Sequence, residues 1–267
     1  MFAEAGPLRI VWASARNSFV TRFTAMHPIL WLFQILITSF FAMYFFAALS
    51  EYIGNPEVTV SFVVIGNAVQ SVAATTLYSV AEIPGVEKHT GTLGALIQSP
   101  SSLFSVFLGM SAFGILTGIF AMFVSLGYAA FVFGISFASC NFLSVGVILL
   151  LTCLSLTGLG MLLGSAGIRL RTAAIIANIF AYIGLLISGV NFPVSYLPDW
   201  VQAVSYCMPL TYAVEAVRGA VDGASLIDLY RPICMMILLG TVFMIIAWFS
   251  FKFFEESSRN SGKTDSF

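Results

Sequence analysis

Long apolar stretches separated by short polar segments dominate this chain. Five intervals contain no Asp, Glu, Lys or Arg, and they cover residues 23–50, 58–81, 89–168, 172–198 and 232–251. A helix needs about 20 apolar residues to cross roughly 30 Å of hydrocarbon, so each interval can hold one span and the longest can hold two. The pattern predicts six transmembrane helices, at 28–50, 59–81, 103–126, 142–166, 172–190 and 232–253. The turn that divides the longest interval is predicted from Gly134 to Asn141.

Composition supports this pattern. Hydrophobic residues make up 59% of the chain and charged residues 9%, and the mean hydropathy is +0.98. These values are typical of an all-α integral membrane protein, here a single transmembrane domain over residues 1–267 that has the lipid membrane as its environment. A net charge of −1 gives no reason to expect nucleic acid as a partner. The four cysteines have no CxxC spacing, so we expect packing residues and neither a metal site nor a disulfide framework.

The distribution of Lys and Arg predicts the orientation. With six spans both termini lie on one side, and nine basic residues share that side against two, Arg218 and Arg231, on the other. Basic residues are retained on the cytoplasmic side of short loops, so we expect a multi-pass protein of the cytoplasmic (inner) membrane with both termini in the cytoplasm. The first 26 residues carry charges before any long apolar run, which is unlike a cleaved signal peptide, and the first span is expected to direct insertion.

Four segments outside the spans have distinct characters. Residues 1–27 are predicted to form an amphipathic helix in the cytoplasmic interface, the alternative being an irregular basic leader; its apolar positions are Leu8, Trp12, Ala15, Phe19, Phe23 and Met26. Residues 82–102 form a cytoplasmic segment. Residues 191–231 form an external segment that is apolar but interrupted by prolines, which predicts re-entrant half-helices or, alternatively, a loop packed on the spans. Residues 255–267 are predicted to be a polar, disordered cytoplasmic tail.

The chemistry of the spans favours transport over catalysis. None of the predicted spans up to residue 251 contains an ionisable carboxylate, ammonium or guanidinium, and both histidines, His27 and His89, fall outside the apolar cores. Proton relays and ion-coupled carriers normally need such groups, although uncharged sodium sites leave a secondary carrier open. Gly262, Lys263 and Thr264 are not a phosphate-binding loop, because Ser257 stands where the motif needs its first glycine. Energy for uphill transport is therefore expected from another chain.

Two motifs resemble the ABC-2 type permeases. The first is the predicted ATPase-coupling segment, with Glu87, Lys88, His89, Thr90, Gly91, Thr92 and Leu93, then Ser99 and Pro100. It departs from the family pattern at Gly94, where many members carry Glu. The second is the predicted external gate segment, with Gly189, Phe192, Pro193, Leu197, Pro198, Pro209, Leu210, Thr211, Tyr212, Glu215 and Arg218.

The resemblance implies a transport subunit that is not itself an enzyme. Two copies would form the pathway as a homodimer, and two separate ABC ATP-binding subunits would carry ATP and Mg²⁺, with no cofactor in this chain. The segment between spans two and three would contact the ATPase, and the external half-helices would help to close the outer mouth. A rigid helix between Pro84 and Pro100 could transmit that movement. An uncharged pathway suits a lipophilic or amphiphilic substrate, such as a drug, a lipid or a lipid-linked glycan.

Several alternatives stay open at this level. The protein could export polysaccharide or lipid-linked glycan specifically, act as a nucleotide-independent channel or secondary carrier, or serve as a membrane anchor. The pairs Gly114/Gly118 and Gly160/Gly164 allow close helix contact, and we expect it within one subunit. Aromatic side chains of the first span would face either lipid or the pathway; these are Phe40, Phe41, Tyr44, Phe45 and Phe46. Trp200 and Tyr212 are expected at the outer interface, where amphipathic rings concentrate. Glu215 and Arg218 have the spacing of a helical ion pair, either as a weak surface pair or as part of the gate.

Overall fold

The chain is a bundle of α-helices with no strand in the described part, residues 6–25, 27–99, 101–168 and 173–261 of a computed structural model. In chain order the helices are α1 Pro7–Ala25, α2 Pro28–Ile53, α3 Val60–Ala81, α4 Ile83–His89, α5 Leu93–Gln98, α6 Leu103–Met110, α7 Ala112–Phe131, α8 Phe142–Gly167, α9 Ala173–Ile187, α10 Asp199–Ser205, α11 Pro209–Val221 and α12 Tyr230–Ser261. A 3₁₀ turn at Val194–Tyr196 precedes α10. The predicted all-α class is confirmed for this part of the chain.

Five helical segments in the described residues are long and apolar enough to cross a membrane: α2, α3, the α6–α7 pair over Leu103–Phe131, α8, and α12 over Tyr230–Ser257. The helix break over residues 132–141 separates α7 from α8, as the sequence predicts. The predicted fifth span corresponds to α9, whose 15 residues are shorter than the predicted 172–190 and adjoin the undescribed residues 169–172. Six spans therefore stay a prediction.

Contacts between the connecting segments show which of them lie at the same end of the helical bundle. At one end, the Tyr196 hydroxyl donates to Glu57, and the Asn141 amide donates to the Ala220 carbonyl. At the other end, Arg22 pairs with Glu82. The predicted external segments thus share one end and the predicted cytoplasmic segments the other, which we call the outer and inner ends after the predicted orientation. Of the nine basic residues on which that orientation rests, Arg169, Arg171 and Lys263 lie outside the described residues.

Helix α3 occupies the centre of the bundle. Of its most apolar 18-residue window 67% is buried, against 17% for α2 and for α12. Both glycine pairs pack on α3, because a Cβ at Gly118 would lie 2.1 Å from Thr76 Oγ1 and one at Gly160 would lie 3.0 Å from Val80 Cβ. The predicted packing within one subunit is confirmed, and small residues let α7 and α8 approach the central helix closely.

Helix α1 packs against the inner half of the third span. The contact is at Gly109 of α6, where an added Cβ would lie 2.3 Å from the Val11 carbonyl oxygen. Leu8 and Trp12 point away and are 83% and 75% exposed, while the Phe19 ring lies 5.5 Å from that of Phe113. The predicted helix is confirmed. Its position in the membrane interface stays a prediction, and the predicted apolar positions 23 and 26 lie outside the residues whose side chains are described.

The prediction of a disordered tail from residue 255 is wrong for its first part, because α12 continues through Ser261. Phe251 is buried against Phe107, with ring centroids 5.3 Å apart. One turn further on, the Glu255 carboxylate accepts a hydrogen bond from the Leu103 amide at 3.3 Å. Leu103 is the first residue of α6, and a negative charge is favourable at the N-terminus of a helix. These contacts extend the helix beyond the apolar run; residues 262–267 lie outside the description.

Candidate functional site

The predicted coupling segment folds as a helical hairpin of α4 and α5, which we call the inner hairpin. Pro84 lies in the first turn of α4, where its missing N–H removes no helical hydrogen bond. The hairpin turns at Gly91, whose φ of 73° is a left-handed conformation that glycine adopts without a steric penalty. The Gly91 amide donates to the Lys88 carbonyl at 3.2 Å, and the Thr92 amide donates to the Glu87 carbonyl at 3.0 Å. These two bonds satisfy carbonyls in the last turn of α4.

Glu87 holds the turn of the inner hairpin together. It is 8% exposed, and its carboxylate accepts a hydrogen bond from the Thr92 hydroxyl. The Thr90 hydroxyl contacts the Thr92 hydroxyl at 2.8 Å and donates to the Val86 carbonyl at 3.0 Å. A buried carboxylate that is bonded across a turn fixes the angle between the two short helices.

One face of the inner hairpin is anchored and the other is exposed. Leu93 and Ile97 of α5 are 1% and 2% exposed and belong to one apolar cluster with Phe107 and Phe251. Ser99 ends the hairpin, and the predicted Pro100 lies outside the described residues. The opposite face is open, and its exposed residues are His89, Thr90, Gly91, Thr92, Ala95 and Gln98. The hairpin therefore presents a rigid polar tip on an apolar base.

An ion pair joins the inner hairpin to α1. Arg22 Nη1 lies 3.3 Å from Glu82 Oε2, and Nη2 donates to the Ser79 carbonyl at 3.3 Å. The Tyr78 hydroxyl approaches the second carboxylate oxygen of Glu82 at 3.5 Å. Beside this pair a cavity of about 20 Å³, room for about one water molecule, separates α1 from α4. It is lined by Ser18, Thr21, Arg22, Ile83, Val86, Glu87 and Met110.

At the outer end, Arg218 of α11 is the central group of the predicted gate segment. Its Nη1 donates to the Gly189 carbonyl at 2.8 Å, and Nη2 donates to the carbonyls of Val190 at 2.8 Å and Phe62 at 2.9 Å. The guanidinium carbon lies 3.3 Å from the centre of the Phe62 ring, which is a cation–π arrangement. Burial lowers the pKa of the Arg218 guanidinium to about 9, so the group is a cation at neutral pH.

The predicted pairing of Glu215 with Arg218 is wrong. Glu215 is exposed on α11 and forms no ion pair with Arg218, whereas Arg218 turns towards backbone carbonyls at the end of α9 and the start of α3. Spacing on a helix allows an ion pair but does not decide where a long side chain points. Here the two terminal nitrogens of Arg218 are already bonded to three carbonyl oxygens, and these replace a carboxylate.

The surroundings of Arg218 are tightly packed. A Cβ added at Gly66 of α3 would lie 2.2 Å from the Val190 carbonyl oxygen and 2.7 Å from Arg218 Nη2. The Asn67 amide donates to the Asn191 side-chain oxygen at 2.7 Å, one residue away. Gly189 turns the chain at the end of α9 with a φ of 75°. Helix α3, at the centre of the bundle, is therefore closely packed against the gate segment.

The remaining predicted gate residues frame this contact. Pro209 begins α11, Leu210 lies against Gly184 of α9, and the Thr211 hydroxyl donates to the Ser205 carbonyl at 2.6 Å. Pro193 and Pro198 each precede a short helical turn, and Phe192 and Leu197 beside them are half-buried.

The two aromatic residues predicted at the outer interface differ in exposure. Trp200 of α10 is 74% exposed. Tyr212 of α11 is half-buried, and its ring centre lies 6.3 Å from that of Tyr206. Short helices are present as predicted, and their depth in the membrane stays a prediction.

Sequence reasoning missed the partners at both ends. It counted Arg22 only as a basic residue that sets orientation, and it assigned no role to Glu82, Gly66 or Phe62. The only available signal was that Glu82 directly follows an apolar span. The partners of Arg218 are backbone carbonyls, which have no sequence signature.

Comparison with known proteins agrees with both motifs. Residues 9–221 match the family described as ABC-2 type transporter. Over 132 residues, or 49% of this chain, the sequence is 26% identical to a probable multidrug ABC transporter permease, YbhR, of Escherichia coli strain K12, and equally to its counterpart in strain O157:H7. The aligned part spans 36% of the length of these relatives. Since the family match extends over most of the sequence and includes both motif regions, this chain belongs to the ABC-2 type transporter family.

Proposed function

We propose that this chain is the membrane-spanning permease subunit of an ATP-driven ABC exporter. Two copies would enclose the pathway, and two separate ABC ATP-binding subunits, which carry ATP and Mg²⁺, would dock at the inner end. The cargo would be a lipophilic or amphiphilic molecule such as a drug or a lipid. The coupling segment would be the inner hairpin, and the gate segment would be the region from Gly189 to Arg218.

The observation that carries this proposal is the two-faced inner hairpin. Its base is buried with Phe107 of the third span and Phe251 of the sixth, while its tip exposes Thr90, Gly91 and Thr92. A loop without a partner has no need of a buried carboxylate that fixes its turn, such as Glu87. A docking element does need one, because movement of a partner is transmitted to the spans only through a stiff connection.

The nature of the cargo is inferred from polar groups on otherwise apolar helices. Gln34 of α2 and Asn178 and Tyr182 of α9 are exposed, although both helices are strongly apolar. Uncharged amides and hydroxyls facing hydrocarbon are unfavourable, so these faces are better suited to a second copy or a wet pathway. Such groups offer hydrogen bonds but no fixed charge, which suits an amphiphile. The multidrug relative supports a drug-like cargo.

The proposal is tested by reconstituting the chain in liposomes with and without a co-expressed ABC ATP-binding subunit. Two probes represent the two cargo classes: the lipophilic dye Hoechst 33342 and a fluorescently labelled phosphatidylethanolamine. We expect ATP-dependent movement of at least one probe by the complex. Glu87→Ala is expected to reduce probe movement about tenfold while ATP hydrolysis continues, because the hairpin loses the carboxylate that fixes its turn.

The matched control is Asp222→Ala, which removes an exposed carboxylate at the outer end beyond the gate segment and is expected to leave both rates unchanged. Assembly is checked by co-purification of the two subunits. Probe movement at full rate by the permease alone, without any nucleotide-hydrolysing subunit, would overturn the proposal. So would normal coupling in the assembled Glu87→Ala complex.

A further inference from the structure

Arg218 is a half-buried cation whose only described hydrogen-bond partners are backbone carbonyls. The three carbonyls belong to separate parts of the outer end: Gly189 and Val190 follow α9, and Phe62 lies in the first turn of α3. One side chain on α11 therefore connects three elements of the bundle. If α11 moved outward, all three hydrogen bonds would break together.

The arrangement in the structure satisfies this cation incompletely. Arg218 Nε is buried and has no hydrogen-bond partner in the described part of the chain. A guanidinium carries five N–H donors, and water can supply partners to every one of them once the group is released. An apolar side chain in this position would only lose contacts on opening, whereas Arg218 gains hydration. The site is thus suited to two states, one bonded to carbonyls and one bonded to water.

Gly66 determines whether the carbonyl-bonded state can form. Its missing side chain leaves room for the Val190 carbonyl and for Arg218 Nη2, and an added Cβ would overlap both. A methyl group at this position would therefore displace the guanidinium without changing Arg218 itself. The molecule offers two chemically unrelated ways to break the same contact.

We propose that Arg218 is the latch of the outer gate: its hydrogen bonds to Phe62, Gly189 and Val190 hold the pathway closed, and their release accompanies outward opening. The inference deepens the proposed function, since it assigns a positioning residue to the gate segment. The closed state, however, is a property of the permease alone and can be measured without nucleotide or cargo.

The test uses a reporter cysteine at Ser188, which is 1% exposed and adjoins Gly189. It is introduced as Ser188→Cys after Cys140, Cys153, Cys207 and Cys234 have been replaced by alanine. Labelling by a membrane-impermeant maleimide is followed in vesicles of both orientations without nucleotide. We expect at least a fivefold faster labelling in Arg218→Met and in Gly66→Ala, and an intermediate rate in Arg218→Lys, which keeps the charge but not the fork of donors.

Three controls separate a latch from general loosening. Asp222→Asn changes an exposed carboxylate directly after α11, and Gly127→Ala adds a methyl group where nothing lies within 4 Å; neither is expected to change the labelling rate. A second reporter, Ser165→Cys, is 2% exposed near the inner end of α8 and should stay protected in every variant. Equal acceleration at both reporters would mean that Arg218 is merely structural and would overturn the proposal. Unchanged Ser188→Cys labelling in folded Gly66→Ala and Arg218→Met would also overturn it.

A last experiment tests whether ATP hydrolysis by the partner subunit releases the latch. In the complex with the ATP-binding subunit, trapping of ADP with vanadate after ATP hydrolysis is expected to accelerate Ser188→Cys labelling in the otherwise unmodified chain. If the mutational arm succeeds and this arm fails, the latch stands and the ATP-driven function is in error. If the mutational arm fails while ATP still drives probe movement, the function stands and the latch is rejected.

Discussion

The two ends of α3 use a charged side chain in opposite ways. At the inner end, Arg22 meets a carboxylate, Glu82, and the two side chains are 21% and 28% exposed. At the outer end, Arg218 is likewise half-buried, but its described partners are carbonyls instead of a carboxylate. An ion pair near water can exchange partners at little cost, whereas a cation enclosed by carbonyls is released only when the whole contact opens. Under the proposed latch, the inner contact would adjust gradually, whereas the outer contact would form or break as a unit.

The largest expected effect is the difference in stability loss between substitutions of Arg218 and of Arg22. Arg218→Met should lower the free energy of unfolding by about 2–5 kcal/mol, because three carbonyls lose their donor at a buried site. Arg22→Met should lower it by at most about 1 kcal/mol, because water can replace the lost partner. Unfolding in mixed micelles with increasing SDS measures both. Equal losses would remove the contrast between the two ends.

A second effect concerns the packing of α1 at the inner end. Gly109→Ala places a methyl group 2.3 Å from the Val11 carbonyl oxygen, so α1 must shift away from α6. Overpacking of this kind costs about 1–3 kcal/mol. Proteolysis of α1 by trypsin at Arg16 and Arg22 should become faster in this variant. Gly127→Ala, with open space around the added methyl group, provides the matched control, and equal cleavage rates in both would contradict the described contact.

A smaller effect is expected at the turn of the inner hairpin. Gly91→Ala forces a residue with a side chain into a left-handed conformation, at a cost of about 1–2 kcal/mol, although nothing lies within 4 Å of the new methyl group. Hydrogen exchange of the Thr92 amide should rise while amides of α3 stay protected. Gly94→Ala, inside α5 and equally unobstructed, should leave that exchange unchanged or slower. Faster exchange throughout α3 would show that the hairpin is not a separate unit.

The smallest effect is the energy of the inner ion pair itself. A double-mutant cycle of Arg22→Ala and Glu82→Ala should give a coupling of about 0.2–1 kcal/mol, and salt should weaken it. The corresponding cycle of Arg218→Ala and Glu215→Ala should give none, since Arg218 is bonded to backbone carbonyls and Glu215 is exposed. A coupling at the outer end as large as at the inner end would contradict the orientation of Arg218.

Periodicity and charge-free intervals were sufficient to predict helices at α2, α3 and α8, because burial in hydrocarbon leaves a strong signal in composition. The prediction was weaker where contacts between helices decide the outcome. The extension of α12 depends on Glu255 and Phe251 meeting the third span, and the direction of Arg218 depends on carbonyls brought together by two elements, α3 and the turn after α9. Neither contact is encoded by neighbouring residues. The coupling and gate motifs were located through family resemblance, whereas their internal hydrogen bonds became visible only in the folded chain.

The hydrogen bond from the Leu103 amide to Glu255 has a mechanical consequence. It fastens the exit of the inner hairpin to the last helix, and the shared cluster of Leu93, Phe107 and Phe251 reinforces that joint. Under the proposed coupling role, movement of the hairpin would therefore be shared between α6 and α12. A bulky fusion placed directly after Ser257 would lie beside this contact between α12 and α6, so tags are better attached before α1.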